Sequence, residues 1–205
     1  MIQLPPLYAI VDPIDTRRSP VDLAAALLAG GARLLQMRLP KASARDLLAA
    51  TDAVMPLARA HGALVVVNDR PDVARAAGAD GVHVGQDDLP IPAARAVLGP
   101  GAIIGCSTHD PEQARIAEAS GADYIGVGPI FDTTTKVDAR PARGLELLRT
   151  VRAMVRIPIV AIGGITPATA LEVRAAGADA VAMIAALVRS PDPSAAVRAL
   201  LARLG

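Results

Sequence analysis

The stretch Ala119-Ser120-Gly121-Ala122-Asp123-Tyr124-Ile125-Gly126-Val127 decides the fold. Its first residues end a helical pattern, the glycine supplies a left-handed residue that closes a helix, and the aspartate leads into an apolar strand. The same turn recurs at Ala76-Ala77-Gly78-Ala79-Asp80 and Ala175-Ala176-Gly177-Ala178-Asp179, with a looser copy at Gly30-Gly31-Ala32-Arg33. A helix-to-strand turn that repeats along a chain is typical of alternating strand and helix units.

Working outward from this turn, apolar runs alternate with segments of helical spacing along the chain. The predicted strands are residues 7–11, 34–37, 64–67, 81–84, 102–105, 124–127, 158–162 and 180–183. The predicted helices are roughly residues 20–29, 43–60, 71–77, 90–97, 110–119, 142–154, 167–176 and 193–203. Helix starts are indicated by an N-cap residue or a first-turn proline, at Ser43, Pro71, Pro111 and Thr166-Pro167.

Strand–helix units of this length imply parallel strands with right-handed crossovers. Eight units predict an α/β fold, a (β/α)₈ TIM barrel that forms a single domain over residues 1–205. The alternative is an open doubly wound sheet, which would be expected to carry a glycine fingerprint after its first strand. Asp12-Pro13-Ile14-Asp15 is not such a fingerprint, so the pattern favours the barrel.

Composition excludes several classes of protein. The 205-residue chain is 52% hydrophobic, but it has no uncharged apolar run of about 18 residues, so we expect no membrane partner. Its net charge of +1 and its 1% aromatic content argue against a nucleic-acid partner. The start of the chain has no signal-peptide pattern and Cys106 is the one cysteine, which together predict a cytoplasmic protein. Whether it forms a homo-oligomer stays open.

In a barrel, chemistry occurs at the carboxyl ends of the strands, and polar residues cluster at those positions here. Asp69 and Asp88 follow successive strands and are suitable oxygen ligands for Mg²⁺, whereas the lack of a nearby His or Cys cluster argues against zinc. The donors that could bind a diphosphate beside this metal are Arg38, Ser107, Lys136 and Lys41. Each of three residues also has a possible structural role instead: Asp88 and Ser107 could cap helices, and Arg38 could pair with an acidic side chain.

A second phosphate pocket is predicted at Gly163-Gly164 and at the small residues that follow the last strand, where backbone N–H groups bind a monophosphate. The loop from Gly128 to Lys136 adds hydroxyls that could donate to anionic oxygens. His83 and His109 are either acid–base residues or packing residues. Cys106 has no clear activating base and is predicted to be a small buried residue.

These motifs resemble the thiamine-phosphate synthase family, which includes a thiazole tautomerase branch. The matching segments run in order over nearly the whole chain: Gln36-Met37-Arg38, Val67-Asn68-Asp69-Arg70, residues 79–88, Gly105-Cys106-Ser107-Thr108-His109, residues 126–131, Thr133-Thr134-Thr135-Lys136 and Ala161-Ile162-Gly163-Gly164-Ile165.

The resemblance implies a Mg²⁺-dependent transferase that joins hydroxymethylpyrimidine diphosphate to hydroxyethylthiazole phosphate and releases thiamine phosphate and pyrophosphate. It implies a dissociative substitution in which diphosphate leaves first. Asp69 and Asp88 would hold the metal, and the pyrimidine diphosphate would be bound by Gln36, Arg38, Asn68, Ser107 and Lys136. Lys136, Ser107 and Arg38 would be catalytic. The thiazole phosphate would be bound by Thr133, Thr134, Thr135, Gly164, Ile184 and Ala185.

The chain departs from the family pattern at three positions. Pro40 stands where a lysine is usual, Ala185 where a serine is usual, and Asp132 where a proline or small residue is usual. Two alternatives therefore stay open. One is a metal-independent thiazole-phosphate tautomerase that uses His109 for proton transfer, and the other is a protein that binds thiamine precursors without turning them over.

Overall fold

The structure is a computed structural model that describes residues 2–14, 16–133 and 141–205. Eight parallel strands form a closed barrel in which each strand pairs with the next along the chain and the last pairs with the first. They are β1 (Leu7–Val11), β2 (Leu34–Met37), β3 (Leu64–Asn68), β4 (Gly81–Val84), β5 (Ile103–Thr108), β6 (Tyr124–Val127), β7 (Ile159–Ala161) and β8 (Ala180–Met183). The barrel prediction is confirmed, and the open sheet is excluded.

Helices connect the strands on the outside of the barrel. Within the described residues they are α1 (Pro20–Ala29), α2 (Ala44–Ala60), α3 (Pro71–Ala77), α4 (Ile91–Leu98), α5 (Pro111–Ala119), α6 (Gly144–Met154), α7 (Ala170–Ala175), α8 (Ala185–Val188) and α9 (Pro193–Leu204). Ser43 caps α2 as predicted, by accepting a hydrogen bond from the Asp46 N–H. Over the same residues, no helix combines the length and apolarity that a membrane span requires.

Two helices differ from the prediction. The α7 helix begins at Ala170 because a turn precedes it, in which the Thr166 hydroxyl accepts from the Thr169 N–H at 3.3 Å. Thr166 therefore acts as a cap, but it caps this turn and not α7. Pro167 lies within the turn and does not start the helix. Helix α8 was not predicted, because its four residues are too few to show a helical period.

The repeated turn has the predicted conformation. Its glycines have positive φ angles of 60°, 87° and 114° at Gly78, Gly121 and Gly177. Each aspartate that follows accepts a hydrogen bond from a backbone N–H of the preceding strand. These basal aspartates and their partners are Asp80 with Val65 at 2.7 Å, Asp123 with Ile104 at 2.8 Å and Asp179 with Ile159 at 2.8 Å. The turn thus joins neighbouring strands at the amino end of the barrel, which we call the base.

The core has two parts. The larger lies between the strands and the helices, and the smaller fills the barrel interior with Tyr8, Ile10, Leu34, Val66, Tyr124, Val160 and Ala180. Interior side chains close the barrel toward its base, as packed layers do in this fold. The open space lies at the carboxyl end, which we call the mouth.

Candidate active site

A cavity of about 790 Å³ opens at the mouth of the barrel. That volume is in the range of small-molecule binding sites. Its lining includes every predicted site residue that the structure describes: Gln36, Arg38, Asn68, Asp69, Asp88, Ser107, Thr133, Gly164, Ile184 and Ala185. The predicted residues Thr134, Thr135 and Lys136 lie outside the described part of the chain.

Asp69 and Asp88 lie on neighbouring units of the barrel. Asp69 follows the last residue of β3 and has a φ angle of 62°, and its backbone N–H donates to the His83 carbonyl at 2.8 Å. Aspartate tolerates this left-handed conformation better than most residues, but it is uncommon away from functional sites. Asp88 follows β4, and its carboxylate accepts from the Gly85 N–H at 2.7 Å. It does not cap α4, whose N-cap residue is Pro90.

The residues present fit Mg²⁺. This ion is usually bound by one or two carboxylates, with waters and substrate phosphates as its other ligands, and Asp69 and Asp88 line one cavity. Among the described residues there is no group of three or more His, Cys, Asp or Glu side chains that could hold a metal by itself.

Arg38 is held in place by an acid that the sequence analysis did not include in the site. Its Nη1 forms a short ion pair with the carboxylate of Asp12, whose side chain is only 3% exposed. Burial raises the pKa of Asp12, and the charge and hydrogen bond of Arg38 oppose this rise. The pairing predicted as a structural alternative therefore exists, and it fixes the guanidinium at the cavity wall. Lys41 is exposed and is not among the lining residues.

Strand β5 extends three residues beyond its predicted end, because its pairing with β6 continues through Ser107 and Thr108. Ser107 is consequently a strand residue, 4% exposed, and Asp110 rather than Ser107 caps α5. The Ser107 carbonyl accepts from Gln86 Nε2 at 2.6 Å. The serine is thus held rigidly at the floor of the cavity.

Both candidate histidines are hydrogen-bonded. His83 is buried, with Nδ1 at 2.9 Å from the Tyr124 hydroxyl and Nε2 at 2.8 Å from Ser107 Oγ. His109 Nδ1 donates to the Gly128 carbonyl at 2.6 Å. This contact of His109 connects the residues after β5 to the loop after β6. Each ring therefore has a structural role in addition to lining the cavity.

The loop after β7 packs closely on the loop after β6. Gly163 and Gly164 have φ angles of 88° and 65°. A Cβ atom on Gly164 would lie 2.5 Å from the Asp132 carbonyl oxygen, and one on Gly163 would lie 2.4 Å from Cβ of Pro129. Only glycine fits both the space and the conformation. Ile184 and Ala185 also line the cavity, as the N-cap residue and the first residue of α8, whose first N–H groups have no partner within the helix.

The sequence of this protein matches a known family. A profile described as thiamine monophosphate synthase matches residues 7–187. The chain belongs to this family.

Named relatives agree with the family assignment. A thiamine-phosphate synthase from Moorella thermoacetica is 50% identical over 195 residues, which is 95% of this chain and 93% of the relative. A thiamine-phosphate synthase from Methanoculleus marisnigri is 48% identical over 97% of this chain and 94% of the relative. The solved structure of a thiamine phosphate pyrophosphorylase from Pyrococcus furiosus superposes with a TM-score of 0.88 at 38% identity, covering 97% of this chain and 96% of that one.

Two buried tyrosines inside the strands were not among the predicted site residues of this thiamine monophosphate synthase family member. Tyr8 and Tyr124 lie within β1 and β6, and their hydroxyl oxygens are 2.9 Å apart. One chemical argument could have predicted this contact from the sequence. A buried tyrosine needs a hydrogen-bond partner, and the chain has just two tyrosines.

The prediction for Cys106 is confirmed, since its side chain is buried. Burial, together with the charge of Asp88, raises the pKa of its thiol to about 11.

Proposed function

We propose that this protein is a thiamine-phosphate synthase, a transferase that joins hydroxymethylpyrimidine diphosphate to hydroxyethylthiazole phosphate. The observation that carries the proposal is the single cavity whose lining includes both Asp69 and Asp88 and the donors Arg38, Asn68 and Ser107. A diphosphate needs both positive charge and hydrogen-bond donors, and this wall provides them. Relatives of 48–50% identity that bear the synthase name support the same reaction.

The reaction breaks the bond between the pyrimidine methylene carbon and the ester oxygen that joins it to the diphosphate. The electron pair leaves with pyrophosphate, and the thiazole nitrogen then donates its lone pair to form the new carbon–nitrogen bond. Bound Mg²⁺ would neutralise charge on the departing diphosphate. Arg38 and Ser107 would stabilise the same charge through the guanidinium and the hydroxyl, and we assign Lys136 to this role as well. No protein nucleophile is needed, which is consistent with the protonated thiol of Cys106.

The thiazole phosphate would bind across the cavity, at the loops after β6, β7 and β8. Gly164 lies close to the backbone of Asp132, and Ala185 offers a backbone N–H at the start of α8. Backbone donors of this kind bind monophosphates in barrel enzymes. Because Ala185 has no hydroxyl, the backbone must supply that contact alone, with Thr133, Thr134 and Thr135 as the hydroxyl donors.

A two-substrate assay tests the proposal. The purified protein is mixed with both phosphorylated substrates, with Mg²⁺ or with EDTA, and thiamine phosphate is quantified by chromatography. We expect product with Mg²⁺ and a large loss with EDTA. Turnover of a thiazole-phosphate tautomer that survives EDTA but is lost in His109→Ala would instead support a tautomerase. Tight binding of both substrates without product would support a non-catalytic binder.

The two lysines of the chain provide a matched pair of variants for the same assay. We expect Lys136→Ala to lower kcat about 10²–10³-fold, the scale of losing one charge-stabilising donor. Lys41→Ala removes the same charge from an exposed position outside the cavity lining, so we expect it to remain within about twofold of the wild-type rate. Equal losses in the two variants would contradict the assignment of Lys136.

A further inference from the structure

Five buried polar side chains form a continuous hydrogen-bonded chain across the barrel interior, directly beneath the cavity. None of the five residues is more than 6% exposed. We call this set the interior chain, and its members in order are Gln36 (β2), Tyr8 (β1), Tyr124 (β6), His83 (β4) and Ser107 (β5). Its two ends, Gln36 and Ser107, are residues that we assign to substrate binding.

Every link of the interior chain has the length of a good hydrogen bond. The successive donor–acceptor distances are 3.0 Å for Gln36 Nε2 to the Tyr8 hydroxyl, 2.9 Å for Tyr8 to Tyr124, 2.9 Å for Tyr124 to His83 Nδ1 and 2.8 Å for His83 Nε2 to Ser107 Oγ. Such an unbroken buried chain restricts where each hydrogen can be.

The direction of donation follows from the Gln36 end. The amide Nε2 can only donate, so the Tyr8 oxygen accepts and its single hydrogen is directed to the Tyr124 oxygen. Tyr124 then donates to His83 Nδ1, which leaves the hydrogen of the neutral imidazole on Nε2. Nε2 donates to Ser107 Oγ, so the hydrogen of the serine hydroxyl cannot be used toward His83.

The rings that carry this chain are fixed by their surroundings. A Cβ atom on Gly105 would lie 2.0 Å from Cζ of Tyr124, and one on Gly126 would lie 3.2 Å from Cε1 of His83. The His83 and Tyr124 rings stack with centroids 5.5 Å apart, and the two tyrosine rings meet edge-on at 5.8 Å. Burial raises the pKa of both tyrosines well above the ordinary value, so both phenols keep the hydrogen that they donate.

We propose that Tyr8, Tyr124 and His83 are positioning residues that hold the Ser107 hydroxyl as a hydrogen-bond donor toward the cavity. This inference rests on the proposed function, in which Ser107 donates to an oxygen of the leaving diphosphate. The opposite amide orientation at Gln36 would reverse every link and make Ser107 Oγ an acceptor, which repels an anion. In the proposed direction, a donor on the substrate would bond to Gln36 Oε1, and an anionic oxygen of the substrate would accept from Ser107. Both substrate contacts favour the same direction of donation, so the two ends of the interior chain are coupled.

The direction can be measured in the free protein, independently of activity. We expect the ¹⁵N NMR spectrum of the ring nitrogens to show His83 as a neutral imidazole with an unprotonated Nδ1 and a protonated Nε2. The His83→Gln variant identifies its signals among those of the three histidines. A protonated Nδ1 would overturn the proposal, whether or not the protein is a synthase.

Kinetics then test whether the chain acts through Ser107. Tyr124→Phe keeps the ring and removes one hydroxyl, and we expect kcat to fall about 3–10-fold, the scale of one hydrogen bond, with an unchanged KM for the thiazole phosphate. Tyr8→Phe breaks the neighbouring link and should give a loss of the same size. In the Ser107→Ala background, Tyr124→Phe should have no further effect.

The matched control is Thr108→Val, which removes an equally buried hydroxyl from the next position of β5. Thr108 bonds to the Gly126 carbonyl at 3.2 Å and is outside the interior chain, so we expect kcat to be unchanged. If the fold losses in kcat of Tyr124→Phe and Ser107→Ala multiply in the double variant, the tyrosine acts through packing and not through Ser107. That result would overturn the proposal. If the wild-type protein forms no thiamine phosphate, the proposed function fails, and the ring spectrum still decides the direction of the chain.

Discussion

The two ends of the barrel use aspartate in different ways. At the base, Asp80, Asp123 and Asp179 each accept a backbone N–H from the preceding strand. They also remain accessible to solvent, since the side chains of Asp123 and Asp179 are 35% and 48% exposed. At the mouth, Asp69 has a left-handed backbone, and Asp88 belongs to a loop around a cavity.

The difference shows that position in the barrel, rather than residue type, decides what an aspartate does. A carboxylate at the base stabilises the fold, because without it a strand N–H at the barrel wall would have no acceptor. At the mouth, the left-handed φ angle of Asp69 costs free energy, and such angles concentrate at functional sites. Asp69 and Asp88 are therefore better placed to bind a ligand in the cavity than to stabilise a strand. Variants at the two ends of the barrel separate these two uses.

The largest effect is expected at the mouth. Asp69→Asn or Asp88→Asn should lower kcat about 10²–10³-fold, because either change removes charge from the proposed metal site. Thermal unfolding of the same variants measures any structural contribution of these carboxylates, such as the hydrogen bond that Asp88 accepts from the Gly85 N–H. Asp69→Gly is a useful companion, because glycine accepts the φ angle of 62° and so removes only the side chain. Wild-type turnover in all three variants would contradict the assigned role.

A smaller effect, on stability, is expected at the base. Asp123→Ala leaves the N–H of the buried Ile104 without an acceptor and Arg95 without its ion-pair partner, at a cost of about 1–3 kcal/mol in the free energy of unfolding. Urea denaturation measures this loss, and kcat of the folded fraction should remain near the wild-type value. Asp123→Asn retains an acceptor oxygen and should lose less. A large fall in kcat with unchanged stability would show that the base is not merely structural.

The smallest effect concerns Cys106, on β5 below the mouth. Burial, and to a smaller extent the charge of Asp88, raises the pKa of Cys106 to about 11, so at pH 8 the thiol is almost fully protonated. We expect native Cys106 to react with iodoacetamide more than tenfold more slowly than in the urea-unfolded chain, as followed by mass spectrometry. Asp88→Asn should speed the native reaction modestly, whereas Asp123→Asn should not. Equal effects of the two would contradict the distinction between mouth and base.

The fold could be predicted almost completely because its signals are local. A strand of four or five apolar residues and a turn such as Ala122-Asp123 contain their own information, and seven of the nine helices assigned in the described residues begin within two residues of prediction. The exceptions are α7 and α8, and at β5 the predicted strand ended three residues short. The start of α7 depends on the turn at Thr166, and the end of β5 depends on its pairing with β6.

The candidate site could be predicted at its rim but not beneath it. Residues that follow a strand, such as Asp69 and Arg38, are brought to the mouth by the fold itself. The contact of Tyr8 with Tyr124 joins residues 116 positions apart, and it depends on inward-facing positions of β1 and β6 that no local pattern reveals. Asp12 follows β1 as Arg38 follows β2, but that these two side chains pair depends on how the neighbouring units of the barrel pack. Which side chains meet across a barrel can be predicted only when the register of its strands and the closure of the barrel are known.

One consequence of the interior chain is optical. The chain contains no tryptophan and two tyrosines, and both of these belong to the interior chain. The tyrosine absorption and emission of the whole protein therefore arise from one place, directly under the cavity. A hydrogen bond that changes at Gln36 or Ser107 would be relayed to these two phenols, which would make them an unlabelled reporter of the proposed substrate site.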